Sequence, residues 1–192
     1  MNYLVNSLVF VETQTMSFAS LRRWFSRADM PTEEVTSNSP GPPGAQVQFL
    51  SGLKFASGEG VAQDYTQAAQ CYSKAAEQDH SLAQLHLAML YGQGQGVARD
   101  EAKSLMWMTK AAKLGNAAAQ YRLGVQQHLL FREGSNGTAA EGRIEALKWV
   151  RLSAAQSCLG AERACEFVAL GMTREEVAEA VRRVTAFVAG AN

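Results

Sequence analysis

Ser51-Gly52-Leu53-Lys54 puts a hydroxyl and an amine one helical turn apart, the S-x-x-K spacing in which a serine serves as acylation nucleophile. Two fixed letters recur by chance, and the accompanying S-D-N and K-T-G elements are missing. Internal alignment puts Leu87 and Leu123 at the position of Ser51, so this serine is expected to face a helical core. His80, His86 and His128 share no helical face with carboxylates at a useful spacing. Gly58-Glu59-Gly60 and Gly94-Gln95-Gly96 follow helical rather than strand patterns, which makes them turns and not dinucleotide-binding loops. The three cysteines, Cys71, Cys158 and Cys165, have no zinc-site spacing with any histidine and are too few for a disulfide framework. Cys158 and Cys165 either meet across a turn or remain ordinary thiols, and the small-hydrophobe behaviour of cysteine favours the second. Asn136-Gly137-Thr138 has the glycosylation pattern, which matters only in a eukaryotic secretory route. No catalytic constellation converges. The expectation is a chain that is not an enzyme and has no cofactor and no metal, with a cell-wall hydrolase as a remote alternative.

The elements around these residues are set by where proline falls. All 4 prolines lie between Pro31 and Pro43, and a proline inside a helix costs ~3 kcal/mol. Residues 31–44 therefore read as a linker, and 45–192 are free to be helical. Before the linker, within residues 1–30, Phe18, Leu21, Trp24 and Phe25 recur at helical spacing with Arg22, Arg23 and Arg27 between them. This short amphipathic segment, residues 18–27, suits an anionic membrane surface, a partner, or the main domain itself. Lys+Arg and Asp+Glu both total 18, so no basic stripe recommends nucleic acid. No stretch is long and apolar enough to span a bilayer, and residues 1–15 lack the features of a secretory signal. Translation from Met16 is an alternative start, and the expected location is the cytoplasm.

Periodicity decides the fold class. At an offset of 36, Gln48 matches Gln84, Gly58 matches Gly94, and Gly60-Val61-Ala62 matches Gly96-Val97-Ala98. Asp64 then matches Asp100, and Lys74-Ala75-Ala76 matches Lys110-Ala111-Ala112. A third copy starts at Ala119-Gln120. It loses the glycine turn, and Trp149 aligns with Trp107 only at an offset of 42, which places six inserted residues near Phe131–Arg143. The repeats read as about 47–82, 83–118 and 119–160, with a half-repeat and cap at 161–190. Each holds two helices: one from about Val47 to Ala56, and one starting after the N-cap Asp64, with Gln67 in capping-box spacing. Ser81 with Gln84, and Thr173 with Glu176, carry the same signature. Gly52, Ala88 and Gly124 share one position inside the first helix. Glycine is costly in a helix, so close helix approach is expected there. In the last helix, Val177, Val181, Val184 and Val188 form the expected apolar stripe, with Glu175, Glu179, Arg182 and Arg183 on the polar side. The fold class is all-α, a solenoid of helix-turn-helix repeats with a C-terminal capping helix.

The pattern A-Q-x-x-L-G-x-x-Y, G-x-G-V-x-x-D, A-x-x-W-Y-x-K-A-A resembles the Sel-one-like repeat family, a branch of the tetratricopeptide superfamily. Ala83-Gln84, Leu87, Tyr91, Gly94, Gly96-Val97, Asp100, Trp107 and Lys110-Ala111-Ala112 carry it here, and Gln48, Gly52, Phe55, Gly58, Gly60-Val61, Asp64, Tyr72 and Lys74-Ala75-Ala76 repeat it. The resemblance implies a right-handed α/α superhelix acting as an adaptor, with a protein or peptide partner on its concave face. Ala112 and Ala119 stand where cysteine-rich secreted relatives carry disulfides, which weakens a periplasmic location. Gln127 departs from the aromatic of Phe55 and Tyr91.

Three positions vary most in each first helix: Leu50, Lys54 and Ser57; His86, Leu90 and Gln93; Arg122, Gln126 and Leu129. Their spacing of four then three puts them on one face. Leu50, Lys54, His86, Leu90, Arg122 and Gln126 are the expected partner-binding residues. The inserted loop 131–143, rich in glycine, serine and asparagine, is a second candidate.

Overall fold

The computed structural model describes residues 43–131 and 137–190. The amphipathic segment at 18–27, nearly all of the Pro-rich stretch, and Asn136 lie outside them. Among the described residues there are eight helices and no strand. They are α1 (Pro43–Ser57), α2 (Tyr65–Ala76), α3 (Ser81–Gln93), α4 (Glu101–Lys113), α5 (Ala117–Phe131), α6 (Gly137–Ala155), α7 (Ala161–Ala169) and α8 (Arg174–Val188). Helices α1 with α2, α3 with α4, and α5 with α6 pack as successive pairs, and α2 on α3, α4 on α5 and α6 on α7 join each pair to the next. The described residues form an all-helical solenoid of helix-turn-helix repeats.

Helix α1 starts at Pro43, inside the segment expected to be linker. Proline in the first turn gives up an N–H that would lack a helical partner anyway. Asp64 caps α2 by accepting from the backbone N–H groups of Thr66 (2.8 Å) and Gln67 (3.1 Å), and Asp100 caps α4 from Lys103 N (2.9 Å). The expected Ser81–Gln84 cap is different. His80 is the N-cap of α3, its Nδ1 accepting from Ala83 N at 3.2 Å, and Ser81 is the first helical residue. Gln84 instead donates from Nε2 to the carbonyl of Ala76 (3.0 Å), and Gln120 repeats this on Ala112 (3.0 Å). These buried amides tie the end of each second helix to the next unit's first helix. Burial makes such a bond expensive to lose, at roughly 1–3 kcal/mol.

The helices within a pair meet where the sequence lacks a side chain. A methyl at Gly52 would lie 2.5 Å from Tyr72 Cε1, and one at Gly124 would lie 2.5 Å from Val150 Cγ2 and 2.8 Å from the Ala146 carbonyl. Ala88, at the same position in the second unit, is fully buried and shares a core cluster with Met108.

The described part of the insertion is helical. Helix α6 begins at Gly137 and runs 19 residues, against 12 and 13 for α2 and α4, so much of the expected loop is extra helical turn. Thr138-Ala139-Ala140 propagates a helix readily, and Gly142 lets Phe131 lie against it, since a methyl there would fall 2.2 Å from Phe131 Cγ.

That extension receives α8, which makes its main contacts with α6. Arg143 Nη2 donates to Glu176 Oε1 at 2.5 Å, with the two side chains 16% and 11% exposed. Arg183 pairs with Glu141, with Glu145 (2.9 Å) and with Glu179 (2.9 Å). Phe187 meets Trp149 edge-on, ring centroids 5.5 Å apart. The capping box of Thr173 and Glu176 is present. The valine stripe is not the inner face, however: Val177 and Val184 pack, while Val181 and Val188 are exposed. The inner row is Glu176, Val177, Ala180, Arg183, Val184 and Phe187, because ion pairs to α6 draw two charged residues inward that hydrophobic spacing alone assigns to solvent.

Candidate partner-binding face

The stack creates its own surface where each first helix meets the preceding unit. His86, on α3, stacks on Tyr72 of the first unit (centroids 5.2 Å, interplanar 30°) and touches Phe49 (5.6 Å). Leu90 is 5% exposed and belongs to the core cluster of Phe49, Tyr72 and Ala76. Both residues face backward along the stack. Leu50 and Lys54 hold the same positions in the first unit, and there they are exposed, because among the described residues no unit precedes α1. Arg122 is half-buried and close enough to His86 to influence its charge, and Gln126 is exposed. The six expected residues thus do not share one environment. The row exposed in every unit is the neighbouring one, Ser57, Gln93 and Leu129. Sequence variability pointed to it, but only the register between units separates it from the packed row.

Between the first and second units lies a cavity of about 290 Å³, walled by Leu53, Tyr72, His86, Met89, Leu90 and Gln93 among others. His86 and Leu90 are the expected residues that reach it. Burial pushes the His86 imidazole down to a pKa of about 4, and the nearby Arg122 and His80 charges add to this, so it is neutral near pH 7. Burial also raises the Tyr72 hydroxyl far above the usual phenol range, with small additions from Cys71 and Tyr65. That hydroxyl is closed to solvent and has no hydrogen-bond partner among the described residues.

The residues with chemical motifs are otherwise employed. Ser51 is half-buried rather than facing a core, and its hydroxyl donates to the Val47 carbonyl at 2.9 Å. His80 bonds Gln46 at 2.8 Å and stacks on Phe49 at 4.7 Å. Gly58, Gly60, Gly94 and Gly96 all have positive φ and form turns. The three cysteines are half-buried thiols. Among the described residues no group of three or more His, Cys, Asp or Glu side chains comes together, and no helix is long and apolar enough to cross a membrane.

A helix-pair stack with interlocked glycine, alanine and glutamine positions defines a repeat-type α-solenoid. The Sel1 repeat family model matches residues 48–80, 81–116 and 117–158, more than half of the chain, and the protein belongs to that family. Its boundaries fall within a few residues of those read from the offset of 36. Among solved structures, a Sel1 repeat protein from Oxalobacter formigenes is 26% identical with a TM-score of 0.59, over 70% of this chain and 56% of that one. The protective antigen c5321 of uropathogenic Escherichia coli strains, which displays an SLR fold, is 28% identical with a TM-score of 0.55, over 77% of this chain and 31% of that one. The chain thus spans well under two thirds of either relative. No curated protein matches the sequence. Sel1 repeats generally mediate protein–protein interaction.

Proposed function

We propose that the protein is a non-enzymatic adaptor that holds a protein or peptide partner along the concave face formed by α1, α3 and α5. The observation that carries this reading is the row Ser57, Gln93 and Leu129, exposed at the same position in three successive units. A row repeated at the spacing of the units can follow an extended partner across all three. His86 and Leu90 act from beneath it, as walls of the cavity; Leu50, Lys54, Arg122 and Gln126 flank it.

The test is a photo-crosslinking amino acid placed in turn at Ser57, Gln93 and Leu129 on the first helices, and at Met106 and Lys110 on α4. The expected result is a partner crosslinked from the first set and not the second. Crosslinks confined to Met106 and Lys110 would overturn the assignment of the face. Membrane-surface contact through residues 18–27 is a separate reading, supported by the arginines interleaved with Phe18, Leu21, Trp24 and Phe25. Fractionation of cells expressing the chain with and without residues 1–44 tests it: a soluble full-length protein removes it.

A further inference from the structure

Two joints between units use different residues for one job. Before α3, His80 Nδ1 accepts from Ala83 N at 3.2 Å; before α5, Asn116 Oδ1 accepts from Ala119 N at 2.8 Å. An imidazole nitrogen that accepts carries no proton, so the proton of the neutral His80 ring sits on Nε2 and is donated to Gln46 Oε1 at 2.8 Å. The residue is 2% exposed, and its ring stacks on Phe49. One side chain thus holds α1 of the first unit, through Gln46 and Phe49, and caps α3 of the second. A second proton would go on Nδ1, facing the Ala83 N–H, and two opposed donors cannot form the cap. It would also bury a cation at the start of α3, where the helix already presents partial positive charge. The Phe49 ring face favours a cation, but it replaces neither hydration nor the cap bond.

The charges around the ring do not rescue it. Helix α1 brings neutral Gln46 and Phe49, and its one charged residue, Lys54, lies in its last turn. Helix α2 brings Tyr72, which contacts Phe49, while Lys74 is exposed. In the connection to α3, the exposed carboxylates of Glu77 and Asp79 accept from Ser73 and Gln84 instead. Helix α3 brings His86, and Arg122 of α5 bears on His86, so both of those influences oppose a further positive charge. Burial holds the His80 pKa below its ordinary 6.5, with a backbone hydrogen bond acting the other way.

We propose that His80 is an acid-sensitive clasp at the joint between the first and second units. A proton on Nδ1 uncaps α3 and turns the ring away from Gln46 and Phe49, while the joint capped by Asn116, which does not titrate, stays closed. The grip is full above pH 6.5 and is lost as pH falls through the lower folded-state value. The clasp holds whether or not α1, α3 and α5 form the binding face.

The experiment is NMR on the full chain. At neutral pH the ring nitrogen shifts should show His80 as the Nε2–H tautomer. Amide exchange, corrected for its intrinsic pH dependence, is then followed from about pH 7.5 to about pH 5, above the range where His86 takes its proton. Ala83 N–H should lose protection by about fivefold, the effect of one lost N-cap, in step with the His80 ring titration. Ala119 N–H should keep its protection. In His80→Asn, which copies the residue at the second joint, the acid loss at Ala83 should disappear. An Nδ1–H tautomer, unchanged protection at Ala83, parallel losses at Ala83 and Ala119, or the same loss in His80→Asn would each overturn the clasp.

Discussion

Gly124→Ala is the sharpest probe of how the repeat is built. In an exposed helix interior, replacing glycine by alanine stabilises by about 1 kcal/mol. At Gly124 the new methyl would lie 2.5 Å from Val150 Cγ2, 2.8 Å from the Ala146 carbonyl oxygen and 3.0 Å from the Val150 nitrogen. Two of these three atoms are backbone of α6, so relief requires moving a helix rather than turning a side chain. Overpacking of this kind costs ~1–3 kcal/mol and here offsets more than the propensity gain. The expected net effect is a destabilisation of about 1–2 kcal/mol, or a fall in Tm of roughly 2–8 °C for a chain of this size. Urea titration with a circular-dichroism readout measures it. Adding Val150→Ala should restore only part of the loss, because the carbonyl contact stays. A Gly124→Ala protein more stable than the wild type would refute the close approach of α5 and α6.

Three further outcomes follow from the same geometry. A methyl on Gly96 would fall 2.2 Å from the Tyr65 carbonyl carbon of the preceding unit, whereas one on Gly60 would meet nothing within 4 Å. Both glycines have positive φ, so both alanine variants lose stability, but Gly96→Ala should lose at least ~1 kcal/mol more; equal losses in thermal melts would contradict the stacking. His86 binds its proton less readily folded than unfolded, so its contribution is present above pH 6.5 and is lost as pH falls toward 4. Stability should drop by up to about 3 kcal/mol across that window and most of the drop should vanish in His86→Phe; a flat profile for the wild type would count against a buried neutral imidazole. Arg143→Met leaves the Glu176 carboxylate nearly buried without its main cation and should cost about 2–3 kcal/mol, while adding Glu176→Gln, which keeps the bond to Thr173 N, should recover most of it in denaturant titrations.

For Glu176, burial acts to raise the carboxyl pKa, but the Thr173 backbone N–H and the Arg143 guanidinium outweigh it and hold it below its ordinary 4.5. The grip of α8 on α6 is therefore full above that value and weakens as pH falls through the folded-state pKa.

The repeat was legible because its determinants are local and recur: glycines at the turns, Asp64 and Asp100 at the caps, Gly52 and Gly124 at the crossings. The course of the third unit was less so. Helical propensity in Thr138-Ala139-Ala140 was masked by the glycines and serine around it, so a helical extension looked like a loop. The inner face of α8 was misread for a related reason. Hydrophobic spacing cannot see that Arg143 and Glu141 wait on another helix for Glu176 and Arg183. The exposed row was legible in the sequence only as one of three variable positions in each first helix. His86 and Leu90 vary between units as surface residues do, yet both are covered by the unit before them, and Ser57, Gln93 and Leu129 beside them are not. The Tyr72 cavity had no sequence signal, since it arises only from the stacking of two units.

The most direct measurement is hydrogen exchange on the full chain with and without its captured partner. Added protection should appear in α1, α3 and α5, strongest around Ser57 and Gln93, with α2 and α4 unchanged. Protection concentrated in α2 and α4, with the first helices exchanging as in the free protein, would contradict the adaptor face assigned to this solenoid.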